Sequence, residues 1–259
     1  MDHNSKAGSF FFKLVKGKMN VNREEWLVTQ VESWGGTLTD KQLEQFANYY
    51  DLLIEMNRVM NLTSITDYDE VYVKHFYDSL VLGKYFQMEK VKSIIDVGTG
   101  AGFPGIPLKI AYPHLRLVLL DSLKKRVNFL EDVVKKLELQ DVRCVHGRAE
   151  EWGRKKGYRE SFDLVTARAV AKLSVLAEYC LPFARVGGWM IAMKGADVAQ
   201  EVSEAELALR KLGKESVQPI SFSLPEGMGE RHLLIIKKGK STPSTYPRRP
   251  GIPAKQPID

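Results

Sequence analysis

The sequence predicts an α/β fold, a mostly parallel seven-stranded sheet with an N-terminal helical extension. Two observations carry this. Short apolar runs at 93–97, 115–120, 142–146, 162–167 and 188–193 alternate with helical patterns at about 104–111, 122–138 and 172–183, as βαβ units require. A helix at about 198–212 then precedes two more strand-like runs, 217–224 and 231–237, joined by the turn Pro225–Gly229 and therefore read as an antiparallel hairpin.

The chain of 259 residues is long enough for one sizeable domain and a smaller appendage, and its 44% hydrophobic and 27% charged residues exclude wholesale disorder. Residues 1–18 read as a leader outside the fold, either appended or disordered. Within it Ser9–Val15 is too short for a signal sequence, is interrupted by Lys13 and lacks a small-residue cleavage site. No run approaches the roughly 20 apolar residues of a membrane span, so no membrane is expected. Residues 19–85 form the expected helical region. Trp26, Leu27, Val31 and Trp34 mark a helix ended by Gly35–Gly36. Thr39 and Gln42 fit a capping box ahead of an apolar face made by Leu43, Phe46, Ala47, Tyr50, Leu53 and Ile54. A third helix is expected at about 69–82. The sheet region spans 86–240, and its clearest helix carries Leu123, Val127, Leu130, Val134 and Leu137 on one stripe. The tail, 241–259, holds five prolines with Arg248, Arg249 and Lys255. Its prolines exclude helix and ladder, leaving an extended strap or a solvated end.

Two cysteines, Cys144 and Cys180, are too few for a disulfide framework or zinc knuckle. The histidines His3, His75, His114, His146 and His232 lack metal-ligand spacing, so no metal is expected and a reducing, cytoplasmic setting is the simplest reading. The net charge of +6 suits a polyanionic partner such as nucleic acid. A basic enzyme with a small neutral substrate accounts for the charge equally well.

The chemistry lies in Ile94–Gly102, a buried strand running into a glycine turn, with Pro104 suited to the first turn of the next helix, whose N-terminus should then face a ligand. Gly100, Gly102 and Gly105 match the dinucleotide pattern formally. Three details oppose a dinucleotide. The match begins two residues into the turn, Phe103–Pro104 adds bulk where a pyrophosphate needs free N–H groups, and Asp96 puts a carboxylate at the strand tip. An amino-acid ammonium suits that carboxylate, and S-adenosylmethionine carries one without any phosphate. The pattern therefore points to a class I, Rossmann-like methyltransferase fold using this cofactor, with Asp96, Gly98, Gly100 and Gly102 at the site. Asp121 ends the second strand, where an acid can accept both ribose hydroxyls, although a strand-end Asp is often only a helix cap. Gly147–Glu150 falls either beside the adenine or in a plain turn. Arg168 ends the fourth strand and should enter the site, unless it is a surface arginine; Lys194, ending the fifth, is a second basic candidate on that edge. The chain carries neither an Asn/Asp-Pro-Pro-aromatic motif nor a cysteine nucleophile after the fourth strand, which disfavours chemistry on exocyclic amines and on cytosine C5.

Asp96–Pro107 (DVGTGAGFPGIP), Asp121–Arg126 (DSLKKR), Gly147–Glu150, Ala167–Val170 (ARAV) and Tyr246–Pro257 (YPRRPGIPAKQP) closely resemble the bacterial ribosomal RNA small-subunit methyltransferase G family, formerly glucose-inhibited division protein B. Asn61-Leu62-Thr63-x-Ile65, His75 and Asp78–Leu80 fit the same pattern, and the resemblance covers essentially 20–258. It implies methylation of guanine N7 at position 527 of 16S rRNA, in a stem-loop near the decoding region. It further implies that Gly98, Phe103, Asp121, Ser122, Leu123, Ala149, Glu150 and Arg168 contact the cofactor. RNA-binding candidates are then Asn61, His75, Lys194, Arg248, Arg249 and Lys255, and the partner is 16S rRNA or the small ribosomal subunit, met by a monomer. Guanine N7 carries a lone pair and no proton, so no catalytic base is certain; Arg168 and Lys194 are candidates to hold the base. A small-molecule methyltransferase and a non-catalytic RNA-binding protein of the same fold remain as rivals.

Overall fold

The computed structural model describes residues 14–15, 18–19, 22–168, 171–195 and 198–258. The expected leader therefore lies mostly outside the described residues. Leu14–Val15 (β1) and Lys18–Met19 (β2) pair antiparallel.

The main sheet has seven strands: Ser93–Val97 (β3), Arg116–Asp121 (β4), Val142–His146 (β5), Phe162–Arg168 (β6), Ala184–Lys194 (β7), Lys214–Ser223 (β8) and Glu230–Lys238 (β9). Their order is β5-β4-β3-β6-β7-β9-β8. The first five run parallel, whereas β9 pairs antiparallel with both β7 and β8. The order reverses beside β3, and the crevice at that reversal is where open α/β sheets bind ligands.

Side chains alternate across β3. Ile94 joins one core with the N-terminal helices, while Ile95 and Val97 join a second core on the opposite face. Strands covered on both sides read as continuous apolar runs, which is why the sequence displayed them. The first face is covered by Arg23–Glu32 (α1), Asp40–Met60 (α2), a helix of mixed type over 68–80, Gly105–Ala111 (α6) and Lys124–Lys136 (α7). The mixed helix comprises Tyr68–Val71 (α3), a π-helical stretch Tyr72–Tyr77 and Asp78–Leu80 (α4), with Leu82–Tyr85 (α5) following. The other face is covered by Leu173–Cys180 (α9), which succeeds the one-turn Ala149–Trp152 (α8), and by Ala199–Glu204 (α10) and Glu206–Lys211 (α11).

Two helical faces differ from expectation. The capping box at Thr39 and Gln42 forms, but the buried seam of α2 is Gln42, Phe46, Tyr49 and Leu53; Leu43, Ala47, Tyr50 and Ile54 are half-buried. Gln42 turns inward because its side-chain amide donates to the carbonyl of Ile110 at 2.7 Å, which satisfies it inside the core. On α7, Phe129 and Val133 are buried beside Val127 and Leu130, whereas Leu123 is exposed at the rim of the ligand edge.

The tail is a packed strap. Arg159 donates to the carbonyls of Thr242 and Tyr246, and Arg154 to those of Thr245 and Pro247. Pro247, Pro253 and Ile258 are buried. The expectation that its prolines exclude helix fails at Ile252–Lys255 (α12), where Pro253 sits in the first turn and needs no intrahelical N–H partner.

Candidate functional site

The glycine turn is held from four directions. Gly98 and Thr99 donate to the carbonyl of Leu120, which continues the β3–β4 pairing into the loop. Gly100 donates to Asp121 Oδ2 at 2.9 Å, and Asp121 Oδ1 accepts from the Leu123 amide at 2.9 Å. From beneath, the Tyr49 hydroxyl donates to the Ala101 carbonyl at 2.6 Å. Gly102 has φ +105°, and a Cβ there would stand 2.7 Å from the Tyr49 hydroxyl and 2.5 Å from Ile106. Only glycine fits both the backbone and the space.

Asp96 corrects the sequence reading. It is fully buried, and its Oδ2 accepts from the Thr99 hydroxyl at 2.6 Å and from the Gly105 amide at 3.0 Å, while Thr166 lies 3.4 Å from Oδ1. Burial pushes its pKa up to about 6, against those donors and the Arg168 charge. The carboxylate braces the turn from inside and does not line the ligand cavity. It also takes the leading amide of α6, so that helix end faces Asp96 and not the ligand. Side-chain alternation is the reason, because Asp96 shares its face with Ile94 and points into the helical layer.

Above the turn opens a cavity of about 460 Å³, lined by Gly98–Ala101, Phe103, Asp121, Ser122, Arg126, Arg168, His75 and Leu62–Thr63. Phe103 closes it on one side, with the His75 ring stacked at 4.5 Å and the Arg168 guanidinium 4.7 Å from the ring centroid. Arg168 donates to the Lys74 carbonyl at 3.2 Å and lies 3.2 Å from His75 Nδ1 and 3.4 Å from Asp78 Oδ2. His75 Nε2 meets the Thr63 hydroxyl at 2.9 Å. Burial, reinforced by the Arg168 charge, lowers the His75 pKa to about 3, so the imidazole is neutral near pH 7. Helices with a π-helical stretch often carry functional sites, and here that stretch and the first residue of α4 bring Lys74, His75 and Asp78 to one wall.

A second cavity, about 320 Å³, shares His75 and Arg168 with the first and adds Asp78, Met193, Lys194 and Arg231. Asp78 is buried between Arg168 and Arg231; burial raises its pKa and the two guanidinium groups oppose that rise. A third cavity, about 420 Å³, lies at the opposite ends of the strands, beside Ser93 and Arg116. The carboxyl edge of the sheet is the ligand edge in such folds.

The other expected site residues divide. Ser122 lines the first cavity, and Leu123 is exposed beside it. Ala149 and Glu150 do not line it; the Glu150 side chain is buried and accepts from the Gly251 amide of the tail at 3.0 Å. Lys194 reaches the second cavity, where its ammonium is paired with Glu201 at 2.7 Å and donates to the Ala171 carbonyl. Arg248, half-buried, grips buried Glu178 with two nitrogens, at 2.6 Å and 3.0 Å, and pins the tail. Arg249 and Lys255 are exposed. Asn61 is exposed in a left-handed cap at the end of α2, and His75 is buried rather than offered to solvent. Ala169 and Val170, which complete the ARAV stretch, lie outside the described residues. Tyr49, Arg126 and Arg231 were not anticipated. Tyr49 alone had a usable signal, since 42, 46, 49 and 53 fall on one helical face.

Residues 42–234 match the family model GidB, described as rRNA small subunit methyltransferase G. A ribosomal RNA small subunit methyltransferase G from Bacillus cereus (strain B4264) is 52% identical over 235 residues, covering 91% of this chain and 98% of that protein. A protein of the same name from Brevibacillus brevis is 51% identical over 224 residues, covering 86% and 94%. Among solved structures, an O-methyltransferase from Bacillus cereus in complex with SAH aligns with TM-score 0.53 at 16% identity, covering 80% of this chain and 100% of that one. The O-methyltransferase TomG from Streptomyces achromogenes aligns with TM-score 0.52 at 15% identity, covering 84% and 99%. At such identities these two structures speak for the fold alone.

Proposed function

This chain belongs to the rRNA small subunit methyltransferase G family, and from that premise we propose that it methylates guanine N7 of 16S rRNA with S-adenosylmethionine as donor. The observation that carries the cofactor is the glycine turn: a stretch whose Cβ space is blocked at Gly102, opening on a cavity of about 460 Å³ with Asp121 at its rim. That volume lies within the range of about 300–1,000 Å³ usual for small-ligand sites. The residues fit the donor. Asp121 keeps lone pairs beyond its bonds to Gly100 and Leu123, enough to accept ribose hydroxyls. Exposed Leu123 offers an apolar surface for a purine. The Ala149 and Glu150 side chains take no part in lining the cavity, so any contact to adenine there comes from the backbone.

When bound, S-adenosylmethionine supplies a methyl group made electrophilic by a sulfonium. The task of the chain is then placement. Guanine N7 has an in-plane lone pair and no proton, so no side chain needs to act as a base. That suits a wall between the cavities whose histidine, His75, is neutral and stacked on Phe103. Orientation of two bound reactants can remove roughly 7–11 kcal/mol of a barrier. Arg168, half-buried between Phe103 and Asp78, would be the donor that holds the base. Exposed Arg249 and Lys255, with other basic residues along the sheet edge, would meet phosphates.

The test uses the whole protein with methyl-labelled cofactor and unmethylated small-subunit RNA, followed by mapping of the modified base. We expect label on guanine N7, and a steep fall in rate with salt as phosphate contacts are screened. Label on another atom, or a salt-independent reaction with a small acceptor, would overturn the reading. RNA binding without any transfer would leave only a binding protein.

A further inference from the structure

The second cavity holds an unusual group. Asp78 is 3% exposed, yet its Oδ1 accepts no hydrogen bond among the described residues. Arg231 Nε stands 3.5 Å from that oxygen as an ion-pair neighbour without hydrogen-bond geometry, and the bond from Arg168 to Oδ2 is long at 3.4 Å. Buried carboxylate oxygens normally find donors, because leaving them without one forfeits their hydration for nothing. That oxygen is covered, with under 1 Å² exposed and Arg231 beside it, so N–H groups of a ligand in the adjoining cavity reach it where the Arg231 side chain gives way.

The chemistry of the nucleobases narrows the ligand. Guanine presents N1–H and its 2-amino group side by side, a fork that matches a carboxylate. Adenine offers a bare acceptor at N1, cytosine sets its amino group beside an acceptor, and the N–H of uracil is flanked by two carbonyls that would repel the anion. The layout of the two cavities then orients the base. Asp78 lines only the second cavity, whereas Arg168 and His75 line both. On guanine, O6 lies between the N1 edge and N7, and N7 lies across the ring system from the 2-amino group.

We propose that Asp78 is the residue that reads guanine, accepting N1–H and the 2-amino group in this second cavity. O6 then falls to the Arg168 guanidinium, and N7 faces the wall shared with the cofactor cavity. Carboxylate recognition on one edge thereby aims the opposite edge at the methyl donor. The assignment rests on the guanine-N7 reading above.

The experiment compares guanosine with inosine at the target position of the RNA, since inosine keeps N7, O6 and N1–H and lacks only the 2-amino group. A site built around a substrate hydrogen bond rejects an analogue lacking it, so wild-type kcat/KM should fall by about tenfold or more on inosine. Asp78→Asn should lose about tenfold or more on guanosine RNA and show little or no further loss on inosine, because the removed partner cannot be missed twice. Its affinity for S-adenosylhomocysteine should stay near wild type, which reports that the fold persists. If Asp78 only balances its two arginines, the inosine penalty will be equal in both proteins, and the proposal is wrong. Equal wild-type rates on guanosine and inosine would overturn it without any variant, which decides the matter even if Asp78→Asn does not fold. Failure of the wild type to modify guanosine RNA at all would instead bring down the guanine-N7 reading and this assignment with it.

Discussion

The two adjoining cavities are built by opposite means. The first is a backbone structure: four consecutive residues, Gly98–Ala101, shape its floor, and the side chains around them chiefly hold that floor still. The second is a side-chain structure, assembled from Ile65, Lys74, His75, Asp78, Arg168, residues 193–195 and residues 231–233. The first suits a ligand that the fold binds in many settings, because backbone N–H and C=O groups ask little of side-chain identity. The second suits a ligand that must be told apart from close relatives, because its charges come from separate elements. Arg168 and His75 line both cavities.

That division can be broken or sharpened by substitution, beginning where the effect should be largest. Gly102→Val forces a side chain into φ +105° and against Tyr49 and Ile106. Backbone strain of about 1–3 kcal/mol and overpacking of about 1–3 kcal/mol are expected together. Calorimetry should show the affinity for S-adenosylhomocysteine falling about 100-fold or more, at roughly 1.4 kcal/mol per tenfold. Undiminished affinity would mean that the turn is not the floor of the cofactor site. Arg168→Ala strikes the shared wall. It should lower methylation by more than about tenfold, roughly 1.4 kcal/mol of transition-state stabilisation, with the far-ultraviolet dichroism unchanged. Near-normal rates would remove Arg168 from the site and leave the two cavities unconnected.

The same contrast explains what the sequence could disclose. The sheet strands and the glycine turn were legible because their signals are local: apolar runs, alternation with helices, and glycines within five residues. Asp96 was legible as a site element but not in its role, since a strand-end carboxylate can face a ligand or the core, and the choice depends on Thr99, Gly105 and Thr166 closing around it. Arg248 looked like a phosphate contact because its partner, Glu178, lies 70 residues away in sequence. Once Glu178 is buried on α9, an unpaired carboxylate there would be strongly destabilising, and the pairing follows from electrostatics. Its neighbour Arg249 is exposed. Asp78 entered only as part of the family pattern and Arg231 gave no signal, because neither motif nor period links a helix near residue 78 to the start of β9.

Tyr49→Phe should give the smallest effect and is the most discriminating about how the first cavity works. The change removes one hydroxyl and leaves the ring stacked on Phe76, at 5.5 Å between centroids, and close to Phe103. The Ala101 carbonyl loses a donor 2.6 Å away in a fully buried setting, which should cost about 1–3 kcal/mol of stability in a denaturant titration. If the floor is held as a unit, part of that loss will appear as a cofactor affinity a few-fold weaker, with the inosine-to-guanosine rate ratio unchanged because Asp78 does not touch this bond. An altered ratio would show that the two cavities are mechanically one, and that the helix carrying His75 transmits strain from the turn to the base.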